Sequence, residues 1–444
     1  MSRGLVLASP HSRSGKTVLA LALLRALARA GTRVVSAKAG PDYIDAAFHA
    51  AASGAACLNL DCWAMRPALL RALVRRLADA GELVLCEGVM GLFDGVGASE
   101  TGSTAELAER LGWPVVLAVD AAQQAASVAA LLEGFVRHRP GVRIAGVVFN
   151  RVASARHAEI LASATRAALP KLAILGAVPR DPGLVLPERH LGLVQASEHP
   201  ELEIFLDRAA AIIAAHCDLA GIAALAQPAR LDGGNAAPIP LPPLGQRIAV
   251  ARDRAFAFAY PAVIEGWRAA GAEVAPFSPL ADEAPDPAAD AVYLPGGYPE
   301  LHAGRIAANA RFLAGLRSLA AKRAAIYGEC GGYMVLGQGL VDAEGARHAM
   351  AGLLPVVTSF AARRRHLGYR EAALARTTPL GTVGARFRGH EFHYATVVEE
   401  NGKPLFQAQD GSGAALGAMG TVAGSVLGSF LHLIDRVDLP ARIG

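Results

Sequence analysis

Short apolar runs alternate with longer alanine-rich segments through the first half of the chain. The runs at 4–8, 115–120 and 144–149 have the length of buried strands, and the segments between them have helical character. Strands that alternate with helices in this way favour a parallel sheet covered by helices on both faces. We therefore predict a doubly wound α/β domain over residues 1–225.

A second set of apolar runs begins near residue 247. Before it, residues 226–245 are rich in proline and glycine and show no periodicity, which is typical of an extended linker. The later runs R-I-A-V-A-R-D, A-D-A-V-Y-L-P-G-G, A-A-I-Y-G-E-C and V-L-G-S-F-L-H predict the strands of another sheet. We therefore expect a second α/β domain over residues 246–440.

Composition narrows the class of protein. A chain of 444 residues that is 53% hydrophobic exceeds the usual size of one core and can fill two. A net charge of +4, dispersed along the chain, does not indicate a nucleic-acid partner. The sequence shows neither a signal peptide nor an uncharged apolar stretch of membrane-spanning length, so we expect a cytoplasmic protein without a membrane partner.

Cys330 stands apart from the other four cysteines. Their spacing fits neither a disulfide framework nor a zinc site, so we predict that they are reduced and mostly buried. Cys330 lies in I-Y-G-E-C-G-G-Y-M-V-L-G, where a strand-like run breaks at glycines and resumes as a helix. A thiol at a helix N-terminus favours the thiolate form, and backbone amides such as that of Gly331 can bind an oxyanion. We predict that Cys330 is a nucleophile.

The rest of a thiol-based site must come from other parts of the second domain. Y-L-P-G-G-Y-P-E places Gly296 and Gly297 in a turn after a strand, where their amides would complete an oxyanion hole. Two histidines are candidate bases: His432, at the end of V-L-G-S-F-L-H, and His393, in R-G-H-E-F-H-Y. The spacing alone leaves the choice between them open.

The opening L-V-L-A-S-P-H-S-R-S-G-K-T runs from a strand through a small polar loop into a helix. Its last three residues match the positions at which a phosphate-binding loop carries the start of its helix, its lysine and its magnesium-binding hydroxyl. A proline at position 10 replaces the first glycine of the usual pattern. The predicted ATP-binding residues of this loop are Ser12, Ser14, Gly15, Lys16 and Thr17.

Two acidic residues at strand ends are candidate metal ligands. Glu87 ends the run E-L-V-L-C-E, and Asp45 follows a strand end in K-A-G-P-D-Y-I-D. Carboxylates at this edge of a parallel sheet commonly reach the Mg²⁺ that bridges nucleotide phosphates. We predict Thr17, Asp45 and Glu87 as the Mg²⁺ ligands, with Asp42 in reserve. For each acid, a helix cap or an ordinary loop position is the alternative.

Several motifs together resemble one family. K-A-G-P-D-Y-I-D, N-L-D-C-W at 59–63, E-G-V-M-G-L-F-D-G, V-F-N-R at 148–151 and P-E-R-H-L-G-L-V at 187–194 are similar to motifs of the cobyrinic and hydrogenobyrinic acid a,c-diamide synthase family. In that family an amide synthetase of the phosphate-loop, dethiobiotin synthetase-like type is joined to a class I glutamine amidotransferase α/β domain. The resemblance covers nearly the whole chain and implies this fold for it.

The resemblance also implies roles in the thiol site. Cys330 would form a thioester with glutamine, and His432, in preference to His393, would raise its nucleophilicity. The wider amidotransferase class carries a glutamate two residues after this histidine, but Ile434 stands there in this chain. A Cys-His dyad is therefore implied.

Candidate contacts to the substrates follow from the same likeness. Asn150 would contact the adenine edge through its side-chain amide, although a turn-forming asparagine is equally compatible with the sequence. Asp42 and Tyr43 are candidate contacts to the acid substrate. Arg364 and Arg365 belong to a local basic run that would hold peripheral carboxylates of a corrin ring, with a solvated charged surface as the alternative.

The activity implied by the resemblance is that of an ATP-dependent carbon–nitrogen ligase of cobalamin biosynthesis. Such an enzyme uses L-glutamine, ATP and Mg²⁺ to amidate the a and c acetates of a corrinoid acid. A synthase that acts on another tetrapyrrole acid, such as nickel-sirohydrochlorin, is an alternative. A partitioning-type ATPase is an alternative of another class, but His11 stands where such proteins carry a second lysine. A homodimer, the cobalt content of the substrate and the order of amidation stay open.

Overall fold

The computed structural model describes residues 2–186, 188–189, 192–193, 195–234 and 237–438. The chain forms two compact units, one of Met1–Trp63 with Leu70–Ala236 and one of Ala64–Leu69 with Ala237–Gly444. Four residues of the 187–194 motif, Pro187, His190, Leu191 and Val194, lie outside the described residues. Within the described part, no helix is long and apolar enough to cross a membrane.

A seven-stranded parallel sheet forms the centre of the first unit, in the strand order β3-β2-β4-β1-β5-β6-β7. Apart from the half-buried edge strand β7, its strands are mostly buried and mostly apolar, as expected for a sheet covered by helices. The doubly wound sheet predicted from the alternating pattern is therefore confirmed. The strands are β1 Arg3–Ala8, β2 Val34–Ala39, β3 Leu58–Leu60, β4 Leu83–Glu87, β5 Val115–Asp120, β6 Ile144–Val152 and β7 Ala173–Pro179.

Helices connect these strands and extend beyond the last of them. They are α1 Lys16–Arg29, α2 Tyr43–Ser53, α3 Pro67–Ala80, α4 Thr104–Leu111, α5 Val128–His138, α6 Ala155–Ala168, α7 Leu202–His216 and α8 Leu219–Leu225. A two-stranded antiparallel sheet, β8 Glu188–Arg189 with β9 Gly192–Leu193, lies between β7 and α7 in the chain. Because all strands of the main sheet are parallel, the loops after β1, β2, β4 and β6 meet at one edge.

The second unit contains a ten-stranded mixed sheet in the order β11-β10-β12-β13-β22-β21-β20-β17-β18-β23. The first five strands in this order are parallel, and the others pair antiparallel. The strands are β10 Arg247–Ala251, β11 Glu273–Phe277, β12 Ala291–Leu294, β13 Ala325–Glu329, β17 His366–Leu374, β18 Arg386–His393, β20 Lys403–Asp410, β21 Ala415–Ala423, β22 Val426–Ser429 and β23 Leu431–Arg436.

A four-stranded sheet and four α-helices complete the second unit. The sheet has the order β15-β14-β16-β19. Its strands are β14 Gly339–Val341, β15 Arg347–Ala349, β16 Val356–Ser359 and β19 Thr396–Glu400, and the helices are α9 Pro261–Ala269, α10 Ala303–Ala308, α11 Ala310–Ala321 and α12 Gly331–Leu336.

The run V-L-G-S-F-L-H, read from the sequence as one strand, is two strands in the structure. It breaks at Phe430, so that β22 pairs with β13 while β23 pairs with β18 at the other end of the sheet order. His432 therefore lies opposite His390 on β18. A strand that changes partners at one residue leaves no signal in an unbroken apolar run.

Candidate active sites

The phosphate loop connects β1 to α1 through two residues in the left-handed region, Arg13 (φ 65°) and Gly15 (φ 80°). Gly15 directly precedes the first turn of α1, where free amides can bind anions. The Lys16 ammonium donates to the Met90 carbonyl oxygen at 2.7 Å and lies 3.5 Å from Ser9 Oγ. Burial and the neighbouring Lys38 lower the pKa of Lys16 to about 8.

The three predicted metal ligands lie together beside this loop. Thr17 Oγ1 donates to Glu87 Oε1 at 2.7 Å and lies 3.5 Å from Asp45 Oδ2. Asp45 and Glu87 are buried at the carboxyl edge of the sheet, which explains why residues far apart in sequence meet here. A hydroxyl and two carboxylates are hard oxygen donors of the kind that Mg²⁺ prefers, so the residues fit the ion.

Two basic side chains, Lys38 and His49, also contact these carboxylates. Lys38 Nζ lies 2.6 Å from Asp45 Oδ2 and 3.0 Å from Glu87 Oε1, and His49 Nε2 lies 2.6 Å from Glu87 Oε2. Neither was predicted as a site residue. Lys38 is the only charged residue of the otherwise small and apolar strand β2, and a buried lysine at a strand end is the signal that could have revealed it.

Charge pairing fixes the ionisation of this cluster. Burial would raise the pKa of Glu87, but Lys38 and His49 hold it well below its usual range. Burial would lower the pKa of Lys38, but Asp45 and Glu87 raise it. For His49, burial is outweighed by the Cys57 side chain and by Glu87, which raise its pKa to about 10. Glu87 is therefore ionised and available as a ligand at neutral pH.

The side chains of Asn150 and Asp42 form hydrogen bonds to the backbone around the phosphate loop and at the start of α2. Asn150 Nδ2 donates to the Ser14 carbonyl oxygen at 2.9 Å, and its Oδ1 accepts from the Arg151 amide, so the side chain holds the phosphate loop instead of projecting freely toward a base. Asp42 Oδ1 caps α2 by accepting from the amides of residues 44 and 45. Burial and Asp45 raise the pKa of Asp42 to about 6. Tyr43 is buried at the start of α2.

Cys330 occupies the sharp turn between β13 and α12. Its φ of 46° lies in the region that side-chain-bearing residues rarely adopt, which indicates a backbone held in place by its surroundings. The Cys330 amide donates to the Ser429 carbonyl oxygen at 2.8 Å, and Sγ lies 4.0 Å from the Phe392 carbonyl oxygen. The turn predicted from the glycines around Cys330 is present.

The prediction that this position favours a thiolate is wrong. Burial and the nearby Glu300 raise the pKa of the Cys330 thiol, and the Gly331 amide lowers it less. Since α12 has only six residues, its dipole is weak compared with the loss of solvent. Cys330 is therefore protonated, and a thiol in this position acts as a nucleophile only if a base takes its proton.

Gly296 lies beside both Cys330, the candidate nucleophile, and His432, the candidate base. A Cβ atom added at Gly296 would lie 2.3 Å from His432 Cε1 and 3.3 Å from Cys330 Cβ. At Gly331, a Cβ atom would lie 3.0 Å from the Gly297 amide nitrogen. The predicted glycines thus lie close to His432 and to the backbone turn of Cys330, and only residues without side chains fit this closely.

Replacing Gly296 with alanine is expected to displace the His432 ring and to reduce glutamine hydrolysis by about 100-fold or more, because small misplacements of catalytic groups have effects of this size. Steady-state hydrolysis of glutamine measures the change. Gly304→Ala is the matched control. A Cβ atom added at Gly304 would lie 3.5 Å from its nearest neighbour, His348 Cε1, which is an ordinary van der Waals distance. Wild-type hydrolysis by Gly296→Ala would contradict the assigned geometry.

His393, the other candidate base, is committed to a different set of contacts. Its Nδ1 lies 3.0 Å from the Ala395 carbonyl oxygen and its Nε2 lies 2.9 Å from Glu391 Oε1. Glu391 in turn binds Arg370. The rings of His393 and His366 stack with an interplanar angle of 6°, and ligand atoms of His366, Glu391 and His393 lie within 4.8 Å of one another. His393 is therefore held by Glu391, which is itself paired with Arg370.

The two predicted substrate-binding arginines are exposed. Arg364 borders a cavity of about 320 Å³ that is also lined by Glu391, His393 and Glu400. Arg365 follows it in the chain and is not part of this lining. In contrast, the further basic residues near them, Arg386 and Arg388, both pair with Glu371.

Comparisons with known proteins cover both units. Residues 5–194 match the CobQ/CobB/MinD/ParA nucleotide binding domain, and residues 247–437 match the CobB/CobQ-like glutamine amidotransferase domain. The expected nucleotide-binding and glutamine amidotransferase folds are thereby confirmed.

Relatives match along nearly the full length. Hydrogenobyrinate a,c-diamide synthase of Rhizobium meliloti is 54% identical over 97% of this chain and 99% of its own. The enzymes of that name from Rhodobacter capsulatus and Brucella suis are each 54% identical, over 97% and 98% of this chain and 98% of their own. The chain belongs to the hydrogenobyrinate a,c-diamide synthase family of glutamine-dependent amide ligases.

Proposed function

We propose that this protein converts hydrogenobyrinic acid to its a,c-diamide in cobalamin biosynthesis, using glutamine as the nitrogen donor and ATP to activate each carboxylate. The supporting observation is the presence of two different reaction centres in one chain, a phosphate loop with acidic ligands and a buried Cys-His site. A partitioning ATPase would need only the first of these. The relatives' names favour the cobalt-free acid over nickel-sirohydrochlorin and over the cobalt complex.

The second unit supplies ammonia. Cys330 Sγ attacks the side-chain amide of glutamine as His432 takes the thiol proton, and the amides around Gly296, Gly297 and Gly331 stabilise the oxyanion. The C–N bond breaks, His432 returns the proton to the leaving ammonia, and a glutamyl thioester remains. Water then hydrolyses the thioester and releases glutamate.

The first unit activates the acid. A carboxylate is a poor acyl donor at neutral pH, so ATP phosphorylates it and ammonia displaces the phosphate. The loop amides and Lys16 hold the phosphates, and Thr17, Asp45 and Glu87 are the proposed magnesium ligands. Bound Mg²⁺ would neutralise phosphate charge there. Asn150 keeps the loop in shape, and Asp42 and Tyr43 border the acid-binding side.

The test uses purified protein and measures the masses of the corrinoid products. Hydrogenobyrinic acid and its cobalt complex are each incubated with the protein, glutamine, ATP and Mg²⁺, and the product masses are determined by mass spectrometry. Two amidations of hydrogenobyrinic acid, and fewer or none of the cobalt complex, are expected. Glutamine hydrolysis without a mass change on either corrinoid would overturn the proposed substrate.

The arginines can be tested in the same assay. Arg364 and Arg365 are proposed to hold peripheral carboxylates of the corrin ring, and charge reversal at both should raise the Michaelis constant for that substrate. An unchanged constant for the corrinoid, or a rise confined to glutamine, would remove this assignment.

A further inference from the structure

Glu329 ends β13 directly before the nucleophile and is fully buried. Three groups hold its carboxylate. The Tyr293 hydroxyl donates to Oε2 at 2.7 Å, the Tyr327 hydroxyl donates to Oε1 at 3.0 Å, and the Leu433 amide donates to Oε1 at 3.1 Å. Leu433 follows His432 on β23, so one carboxylate links the strand before Cys330 to the strand that carries the base.

This carboxylate also faces the histidine ring. Glu329 Oε2 lies 3.8 Å from His432 Nδ1, and both side chains are buried. The separation is longer than a hydrogen bond, and a movement of about 1 Å would make it one. Catalytic contacts are often this loose before substrate binds.

The other acids near His432 are committed elsewhere. Asp435 receives hydrogen bonds from the Arg66 amide and guanidinium. Glu391 binds Arg370 and His393. The position two residues after the histidine is the apolar Ile434. The structure thus offers a carboxylate from a different strand where the wider amidotransferase class has one on the same strand.

Because His432 is buried, a nearby carboxylate would stabilise its protonated form. Burial and the neighbouring His390 and His393 lower the pKa of His432 to about 3, so its protonated form is costly. That form must exist each time the ring carries the Cys330 proton to the leaving ammonia. A carboxylate at Nδ1 lowers this cost and fixes the proton on Nδ1, so that Nε2 is the nitrogen that accepts.

We propose that Glu329 is a positioning residue that orients His432 and stabilises its imidazolium during glutamine hydrolysis, making the site a Cys-His-Glu triad assembled from two strands. This inference rests on the glutaminase activity proposed above. In each turnover the proton moves from Sγ to Nε2 and then to ammonia, and Glu329 stays ionised throughout.

The ionisation of Glu329 gives the proposal a distinctive pH signature. Burial raises its pKa to about 7, although hydrogen bonds from Tyr293, Leu433 and Tyr327 lower it. The groups that face it are Tyr293 on β12, Tyr327 on its own strand, the adjacent Cys330, and His432 on β23. Among these, burial raises the pKa of both tyrosines and of Cys330, while that of His432 is lowered. Hydrolysis should therefore rise with pH through about 7 as Glu329 loses its proton.

The first variant is Glu329→Gln, which keeps the shape: its amide oxygen can accept from Tyr327 and Leu433, and its amide nitrogen can donate to the Tyr293 hydroxyl oxygen. We expect kcat for glutamine hydrolysis to fall by about 100-fold or more with a smaller change in KM, and the rise through pH 7 to disappear. Ammonia-dependent amidation should stay near the wild-type rate. Glu344→Gln, at an exposed loop position of the same unit, is the matched control and should behave as wild type.

The second variant, Tyr293→Phe, keeps the test decisive if Glu329→Gln fails to fold. It removes a hydrogen bond that lowers the Glu329 pKa, so the rise in activity should move to higher pH. A wild-type rate and pH profile in Glu329→Gln, or an unmoved profile in Tyr293→Phe, would overturn the proposal while glutamine hydrolysis by the wild type stands. A wild type that does not hydrolyse glutamine would overturn the glutaminase itself and this role with it.

Discussion

Cys330→Ala is expected to lose glutamine-dependent amidation by more than about 10³-fold while amidation with free ammonia stays near the wild-type rate. In the proposed mechanism the Cys330 thiol forms and breaks the covalent bond to glutamine, and no other described side chain of this turn carries a thiol. The ATP-dependent half needs only ammonia. Product formation is followed by mass spectrometry at matched corrinoid concentrations, with glutamine or ammonium chloride as donor.

The reciprocal variant is Lys16→Ala. It should lose amidation with either donor by about 10²- to 10³-fold, because a positioned cation on the phosphates is removed, yet still hydrolyse glutamine. Cys217→Ala, at a half-buried free cysteine of the first unit, is the control for cysteine removal. Equal losses with both donors in Cys330→Ala would show that the thiol is not specific to the glutamine step.

Local motifs were readable from the sequence because their chemistry and their geometry lie within a few adjacent residues. The glycines around Cys330 predicted a sharp turn, and S-G-K-T after a strand predicted the phosphate loop. The sequence predicted that Glu87 and Asp45 lie beside the phosphate loop, because parallel strands bring their carboxyl ends to one edge. In each case the backbone pattern limits where the side chain can lie.

Residues that act through long-range contacts were missed. Lys38 appeared only as one letter of a strand motif, and its pairing with Asp45 and Glu87 depends on how α2 and β4 pack. Glu329 was passed over because its partner His432 is more than a hundred residues away, on a strand that begins only after the break at Phe430. The thiolate prediction failed for a related reason, since burial of Cys330 is a property of the packed unit.

Lys38→Met is expected to lower the free energy of unfolding strongly. The Lys38 ammonium lies between Asp45 and Glu87, and its removal leaves two buried carboxylates near Thr17 with less compensating positive charge. Breaking a buried ion pair by removing one partner costs about 3 kcal/mol or more of unfolding free energy. Chemical denaturation of the wild type and the variant in EDTA measures the loss.

Magnesium should then restore much of that stability, because a divalent cation supplies the positive charge that the carboxylates have lost. The variant should therefore gain more unfolding free energy than the wild type on addition of Mg²⁺. Lys171→Met, an exposed lysine of the same unit, should show neither the loss nor the larger gain. If Mg²⁺ stabilises the wild type and Lys38→Met equally, Asp45 and Glu87 are not the ion's ligands, and the buried lysine is only the structural counter-ion of two acids.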